Sequence, residues 1–270
     1  MCDLSEITFY KYSATGNDFI LFDNRAGHFT GQEVDFFREI CQRRTAVGAD
    51  GVLLIENSSE HDFRMRYFNA DGSEATCGNG ARSAAHFAFH HRIAASDMTF
   101  TVGGEVYSAQ VNDQAVKLKM SAAREVNIDV HVVEEAGFED GGFVNTGVPH
   151  FVLFCENLEQ VDVNKIGRQY RRHVRFQPAG ANVNFVQIVS ITKIKLRTYE
   201  RGVEEETLSC GTGCLASAFL AQLAGRTKLP TEVVTRGGTL LVALDPRDKR
   251  LLLTGNVALI YEGKLGKLTE

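Results

Sequence analysis

Five short blocks recur along the chain in the same order, and this repetition restricts the fold more than any other feature. Thr15-Gly16-Asn17-Asp18-Phe19 resembles Thr146-Gly147-Val148-Pro149-His150-Phe151, at an offset of 131 (146 − 15) that becomes 132 (151 − 19). Gly48-Ala49-Asp50 matches Gly180-Ala181-Asn182 at 132 (180 − 48), and Arg66-Tyr67-Phe68-Asn69 matches Arg197-Thr198-Tyr199-Glu200 at 131 (197 − 66). Cys77-Gly78-Asn79-Gly80 matches Cys210-Gly211-Thr212-Gly213 at 133 (210 − 77), and Gly103-Gly104 matches Gly237-Gly238 at 134 (237 − 103). An ordered series with so little drift reads as two copies of one unit of about 120 residues.

The pattern predicts a first domain over 1–122 with a returning C-terminal strand in 256–270, and a second domain over 123–255. Glu134–Gly142, acidic and Gly-rich, reads as a linker. Strands are predicted at 7–12, 19–23, 51–56, 63–68, 99–102, 105–111 and 115–120, with helices at 31–43 and 78–92. The second copy predicts strands at 151–155, 183–189, 194–199, 233–235, 239–244 and 250–254, and helices at 162–173 and 211–224; 257–261 reads as the returning strand. Hairpin-like strands around one long helix per copy argue for an α+β fold, two pseudo-symmetric halves of mostly antiparallel or mixed sheet, with a cleft between them.

The net charge of −5 leaves no electrostatic footprint for nucleic acid. Arg43-Arg44 and Arg171-Arg172-His173 read as short solvated patches. No apolar run is long enough to span a bilayer, and Met1–Lys11 lacks the apolar segment of a signal peptide, so no membrane role is expected and a cytoplasmic location is. Six cysteines without a Cys-x-x-Cys spacing suit neither a disulfide scaffold nor a zinc site. Cys2, Cys41 and Cys155 read as passive, the last two as small core residues.

Cys77 and Cys210 differ from those three. Each precedes a Gly-rich start to a small-residue helix, where unpaired N–H groups and the helix dipole stabilise a thiolate. Equivalent residues of a duplicated fold can approach a ligand from opposite sides. Two proton-transfer groups on opposite faces of one carbon invert it, whereas a single base returns the proton to the face it came from. A thiol titrates at about 8.5, close enough to working pH for one thiolate and one thiol to coexist. Helix N-termini can hold a carboxylate and spread carbanion charge. No segment supplies an obvious pyridoxal site, so the reading is cofactor-free and metal-free, with a small amino acid as ligand. Arg201 can clamp a carboxylate and Glu200 can meet an ammonium group. Asn17 and Asn182, taken singly, read as turn residues. A related racemase of another amino acid, a non-catalytic amino-acid binder and a redox switch between facing thiols remain as alternatives.

Together, Gly16-Asn17-Asp18-Phe19, Asn69-Ala70-Asp71-Gly72-Ser73, Cys77-Gly78-Asn79-Gly80-Ala81-Arg82, Gly147-x-Pro149-His150, Asn182, Glu200-Arg201-Gly202 and Cys210-Gly211-Thr212-Gly213 resemble the diaminopimelate epimerases. The cysteine phrase alone is shared, in looser form, with proline racemases. The resemblance implies a cofactor-free homodimer that interconverts LL- and meso-2,6-diaminopimelate for lysine and peptidoglycan precursors. It implies Cys77 and Cys210 as the acid/base pair, and Gly78, Asn79, Gly211 and Thr212 at the reacting carboxylate. Asn17, Asn69, Asn182, Glu200 and Arg201 would hold the unreacting end, with His150 a further candidate. The chain departs from the family at Val148, where Asn is usual, at Gly51, where many members have Gln, and at Ser83, where a cysteine is common.

Overall fold

The computed structural model describes residues 7–128, 130–132 and 137–266. The chain divides into two units, 1–118 with 255–270, and 119–254. The elements run β1 (Thr8–Ala14), β2 (Asn17–Asp23), α1 (Val34–Ile40), β3 (Gly51–Glu56), β4 (Phe63–Asn69), β5 (Glu74–Ala75), α2 (Gly78–His90), β6 (Asp97–Val102), β7 (Glu105–Asn112) and β8 (Ala115–Lys119). Then follow β9 (Arg124–Asn127), β10 (Phe138–Asn145), β11 (Pro149–Cys155), α3 (Val163–Arg171), β12 (Asn182–Ser190), β13 (Lys193–Tyr199), β14 (Glu206–Thr207), α4 (Gly211–Leu223), β15 (Thr231–Thr235), β16 (Gly238–Leu244), β17 (Leu251–Asn256) and β18 (Ala258–Lys264).

The two units repeat one mixed sheet. In the first, β18 pairs antiparallel with β1, β1 with β2 and β3 with β4, while β2/β3 and β4/β6 are parallel. In the second, β9, β10, β11, β12, β13 and β15 follow the same order, with β11/β12 and β13/β15 parallel. The strand after β8 therefore edges the second unit's sheet, and the strand after β17 edges the first.

Each sheet curls round one helix. α2 lies against β1, β2, β3, β4 and β7, and α4 against β10 to β13, β15 and β16. Both helices run thirteen residues and are buried through most of their length. Their small residues, Ala81, Ser83, Ala84, Ala85 and Ala88 in one and Gly213, Cys214, Ala216, Ser217, Ala218 and Ala221 in the other, let strands approach on every side. The opposite sheet face packs α1 over Ile20, Phe22, Val52, Leu54 and Phe68, and α3 over Phe151, Leu153, Val183, Phe185 and Tyr199. Covering both faces explains the unbroken apolar runs Phe19–Phe22 and Val52–Ile55, each fully buried.

These cores fix the repeat register. Ile20 and Phe22 occupy the places of Phe151 and Leu153, and Val52 and Leu54 those of Val183 and Phe185, an offset of 131 (151 − 20; 183 − 52). The strands thus carry no insertion, and aligning Phe19 with Phe151 is one residue out. A slip of one places a side chain on the wrong sheet face. The extra residue of the first unit sits between Ala49 and Val52, opposite Ala181 and Val183.

Other expectations shift at element ends. The stretch at 134–142 is not a linker throughout. Residues 134–136 lie outside the described residues, but β10 begins at Phe138 and pairs with β11 through a bulge after Asp140. Its glycines marked a bulge in a strand. The helix at 31–43 is confined to Val34–Ile40, because the Glu33 carboxylate accepts from Thr30 and Gly31 N–H, fixing a turn before it. Cys41 lies in the core, Cys155 is half-buried, and Cys2 is outside the described residues.

Candidate active site

Both cysteines stand at the N-cap position of their helix. Cys77 precedes α2 in extended backbone (φ −147°, ψ 119°), and its Sγ accepts the Gly80 N–H at 3.4 Å. Cys210 precedes α4 likewise (φ −122°, ψ 110°), but its side chain makes no capping hydrogen bond to the helix. At Cys77 the sulfur takes the N-cap role usually filled by a hydroxyl or carboxylate oxygen. Both are reduced thiols.

In the first unit a tight β1–β2 turn, with Thr15 and Gly16 both at positive φ, delivers Asn17 to the start of β2. Asn79 donates to Asn17 Oδ1, and the Asn17 amide donates to Asp50 at 2.9 Å. Behind them, the buried Arg82 donates to Thr15 and to Asn79 Oδ1 (2.8 Å). Asn69 ends β4 opposite Gly51, and Ala70 N–H donates to the Asp50 carbonyl, so Asn69 and Asn17 flank the same residue. Lys11 and Arg43 both bond the Asp18 carboxylate, and Arg43 also bonds Asp50. Burial would raise the Asp18 carboxyl, but the bonds from Arg43 and Lys11 hold it below its ordinary range. Arg43 stays exposed, as expected of a solvated residue, while its guanidinium links Asp18 and Asp50.

A side chain at Gly51 would overlap the Phe68 carbonyl at 2.3 Å and the Tyr67 ring at 2.5 Å. Tyr67 fills the room a longer residue would need. A Cβ at Gly78 would meet nothing within 4 Å, so packing does not require glycine there. Tyr107 lies within the electrostatic reach of Cys77. Burial, with help from Glu105 and Cys77, pushes its hydroxyl up to about 12.

The second unit surrounds its thiol more closely. Cys210 is buried. Burial pushes its thiol well above the ordinary range, and the Glu200 carboxylate, hydrogen-bonded to it, pushes the same way. The Thr212 hydroxyl, 3.5 Å from Sγ, and the Gly213 N–H oppose them. Thr146 Oγ1 donates to the Thr212 carbonyl at 2.9 Å, tying the β10–β11 loop to the helix start. His150 is fully buried, with Nε2 2.9 Å from Thr212 Oγ1 and Nδ1 3.0 Å from Asn184 Nδ2. Burial drives its pKa down to about 3, so the imidazole is neutral at working pH.

Asn182, beside His150 in the parallel register, accepts the Arg201 N–H at 2.7 Å. The Arg201 guanidinium donates to the Ala179 carbonyl at 3.2 Å. Glu200 thus stands at the thiol and Arg201 at the β12 end of the same corner. Arg171, read as solvated, is instead mostly buried and pairs with Glu204 at 3.1 Å. Asn184, Thr198, Thr146 and Lys11 were not among the expected site residues. The one available signal was two asparagines, 182 and 184, set among the apolar residues at the start of β12. Ser83 donates to the Asn79 carbonyl at 3.2 Å, a bond within α2. No helix among the described residues is long and apolar enough to cross a membrane, and no group of three His, Cys, Asp or Glu among them is placed to hold a metal ion.

The diaminopimelate epimerase family profile matches residues 9–126 and 142–260. A protein named diaminopimelate epimerase from Aquifex aeolicus is 42% identical over 272 residues, covering 96% of this chain and 98% of its own length. Another of that name, from Flavobacterium psychrophilum, is 39% identical, covering 94% and 98%. Among solved structures, a phenazine biosynthesis protein of the PhzF family from Bacillus anthracis superposes with a TM-score of 0.73 at 16% identity, covering 96% of this chain and 99% of that one. A hydroxyproline epimerase from Agrobacterium vitis gives 0.62 at 15% identity, covering 96% and 92%; at such identities these two likenesses concern the fold alone. By the span of the profile and the identity of these relatives, the chain belongs to the diaminopimelate epimerase family.

Proposed function

We propose that this chain inverts one stereocentre of 2,6-diaminopimelate, interconverting the LL and meso forms without a cofactor, with Cys77 and Cys210 as acid/base partners. The observation that carries the reading is the same in both units: a free cysteine in extended backbone occupies the N-cap of the buried central helix.

One thiolate takes the α-proton, so that an S–H bond forms as the C–H bond breaks. The electron pair is spread into the carboxylate. The other thiol gives its proton to the opposite face and becomes the thiolate. Carbanions next to a carboxylate need strong electrostatic support. The N–H groups of Gly78, Asn79, Gly211 and Thr212, at two helix N-termini, supply it at the reacting carboxylate. Asn17, Asn69, Asn182, Glu200 and Arg201 bind the unreacting amino-acid end. Burial and the Glu200 bond favour Cys210 as a thiol, which makes it the proton donor at rest. The working form in this reading is a cytoplasmic homodimer, and sedimentation should give twice the chain mass.

In deuterated buffer, LL-diaminopimelate should acquire solvent deuterium at an α-carbon and yield the meso form. Label entering histidine or glutamate but not diaminopimelate would overturn the substrate while keeping the chemistry. Label entering no amino acid would overturn both.

A further inference from the structure

Five polar side chains of the second unit form one hydrogen-bonded line that ends on Cys210, and its direction is determined by a backbone carbonyl. Asn184 Nδ2 lies 3.1 Å from the Phe151 carbonyl, an acceptor only, so that atom of the amide is the nitrogen. Its second hydrogen points to His150 Nδ1 at 3.0 Å, which must therefore accept. Asn184 Oδ1 is then left to accept from the Thr198 hydroxyl at 3.0 Å. A neutral imidazole with Nδ1 accepting carries its proton on Nε2, so His150 donates to Thr212 Oγ1 at 2.9 Å. With that lone pair occupied, the Thr212 proton is available to Sγ of Cys210 at 3.5 Å.

We propose that Asn184 is a positioning residue for the reaction. Anchored by the Phe151 carbonyl and Thr198, it holds the His150 proton on Nε2 and so makes the Thr212 hydroxyl a standing donor to the Cys210 thiolate. The assignment rests on the two-thiol reading above. It separates the two forms of Cys210 by partner: the thiol gives its hydrogen to Glu200, and the thiolate receives one from Thr212. The charged groups facing the line are Glu200 at the sulfur and Arg201 near His150. Asn184 and Thr198 are buried, so no solvent competes for these bonds. Asn184 Oδ1 would also lie 2.5 Å from a Cβ at position 213, which ties the second glycine of Cys-Gly-Thr-Gly to the same side chain.

The test combines two measurements. In histidine-¹⁵N-labelled protein, with His150 assigned by comparison with His150→Gln, the imidazole should be the Nε2–H tautomer from about pH 5 to 9, and Asn184→Asp should reverse it. An Nδ1–H tautomer in the unsubstituted protein would overturn the proposal. Second, Cys210 is reacted with methyl methanethiosulfonate at pH 8 and followed by peptide mass spectrometry, with Cys77 as internal control. Losing a donor to the thiolate should raise the thiol midpoint by about one pH unit. Tenfold less thiolate, offset by about threefold greater nucleophilicity, slows Cys210 about threefold in Thr212→Val and leaves Cys77 unchanged. Asn184→Asp should slow it similarly, Asn184→Asp with Thr212→Val no more than Thr212→Val alone, and Thr198→Ser should retain the original rate. Should Asn184→Asp fail to fold, Thr198→Val carries the comparison. An unchanged Cys210 rate in Thr212→Val, or additive effects in the double variant, would overturn the line. None of these readouts needs turnover, so they stand or fall separately from the diaminopimelate reading.

Discussion

The two helix starts share a backbone and differ in what lies beneath it. In the second unit His150, Asn184 and Thr198 project toward α4. Their equivalents at an offset of 131 (150 − 19; 184 − 53; 198 − 67) are Phe19, Leu53 and Tyr67. The same sheet positions thus carry a polar line in one unit and apolar packing in the other. Asn79, the counterpart of Thr212, is instead held from the side by Asn17 and Arg82. Cys210 is buried against a carboxylate, while Cys77 is only half-buried. Duplication preserved the thiol at the N-cap, and divergence gave each thiol its own surroundings. The proposed exchange between one thiolate and one thiol would use that inequality.

The largest expected effect comes from removing either thiol. Cys77→Ala and Cys210→Ala should each lower epimerisation by about 10²–10⁴-fold, the usual weight of a general acid or base. Serine should retain a little more activity than alanine, since a hydroxyl is a poorer base but still carries a proton. Full steady-state activity in either alanine variant would end the two-thiol account.

The comparison can be sharpened at the second glycines. A Cβ at Gly213 would sit 2.5 Å from Asn184 Oδ1, which is fixed by Thr198, whereas one at Gly80 would sit 3.0 Å from the mobile end of Leu53. Gly213→Ala should therefore cost about 1–3 kcal/mol in denaturant unfolding. Gly80→Ala should cost less, offset by the roughly 0.5–1 kcal/mol that alanine returns to a helix interior. Equal costs would mean that the two environments do not differ as described.

The smallest effect is electrostatic. His150 titrates at about 3 in the fold because of burial, against about 6.5 when unfolded. Between those values the unfolded chain binds the extra proton, so stability rises with pH through this window and is complete above about 6.5. His86, lowered by burial to about 4, adds the same trend in the first unit. His150→Gln should flatten the acid slope by up to one proton, roughly 1.4 kcal/mol per pH unit, and an unchanged slope would place His150 in water.

What was legible in the sequence was local. Glycines and small residues announced both helices and both caps, because a capping thiol, a turn and a buried small-residue helix each depend on a few adjacent residues. The repeat was legible, but its register was one residue out in the strands, since Phe19 and Phe151 look alike and face opposite ways. β10 was hidden by the glycines of its bulge. Arg171 looked solvated because its carboxylate partner, Glu204, lies far along the chain. Asn184 and Thr198 were invisible for the same reason. Their meaning arises only when β11, β12 and β13 lie side by side and place His150 within reach.

The central claim is that two thiols of unequal setting serve one carbon, and label distribution at low conversion tests it most directly. LL-diaminopimelate is turned over in deuterated buffer to a few per cent, and both isomers are recovered. With two bases, a proton taken by one thiol goes back to the original face, while the inverted face receives deuterium from the other. The account predicts deuterium at the inverted carbon of the meso product and almost none in recovered LL substrate. Equal labelling of both at the earliest times would mean that a single base serves both faces, and would contradict it.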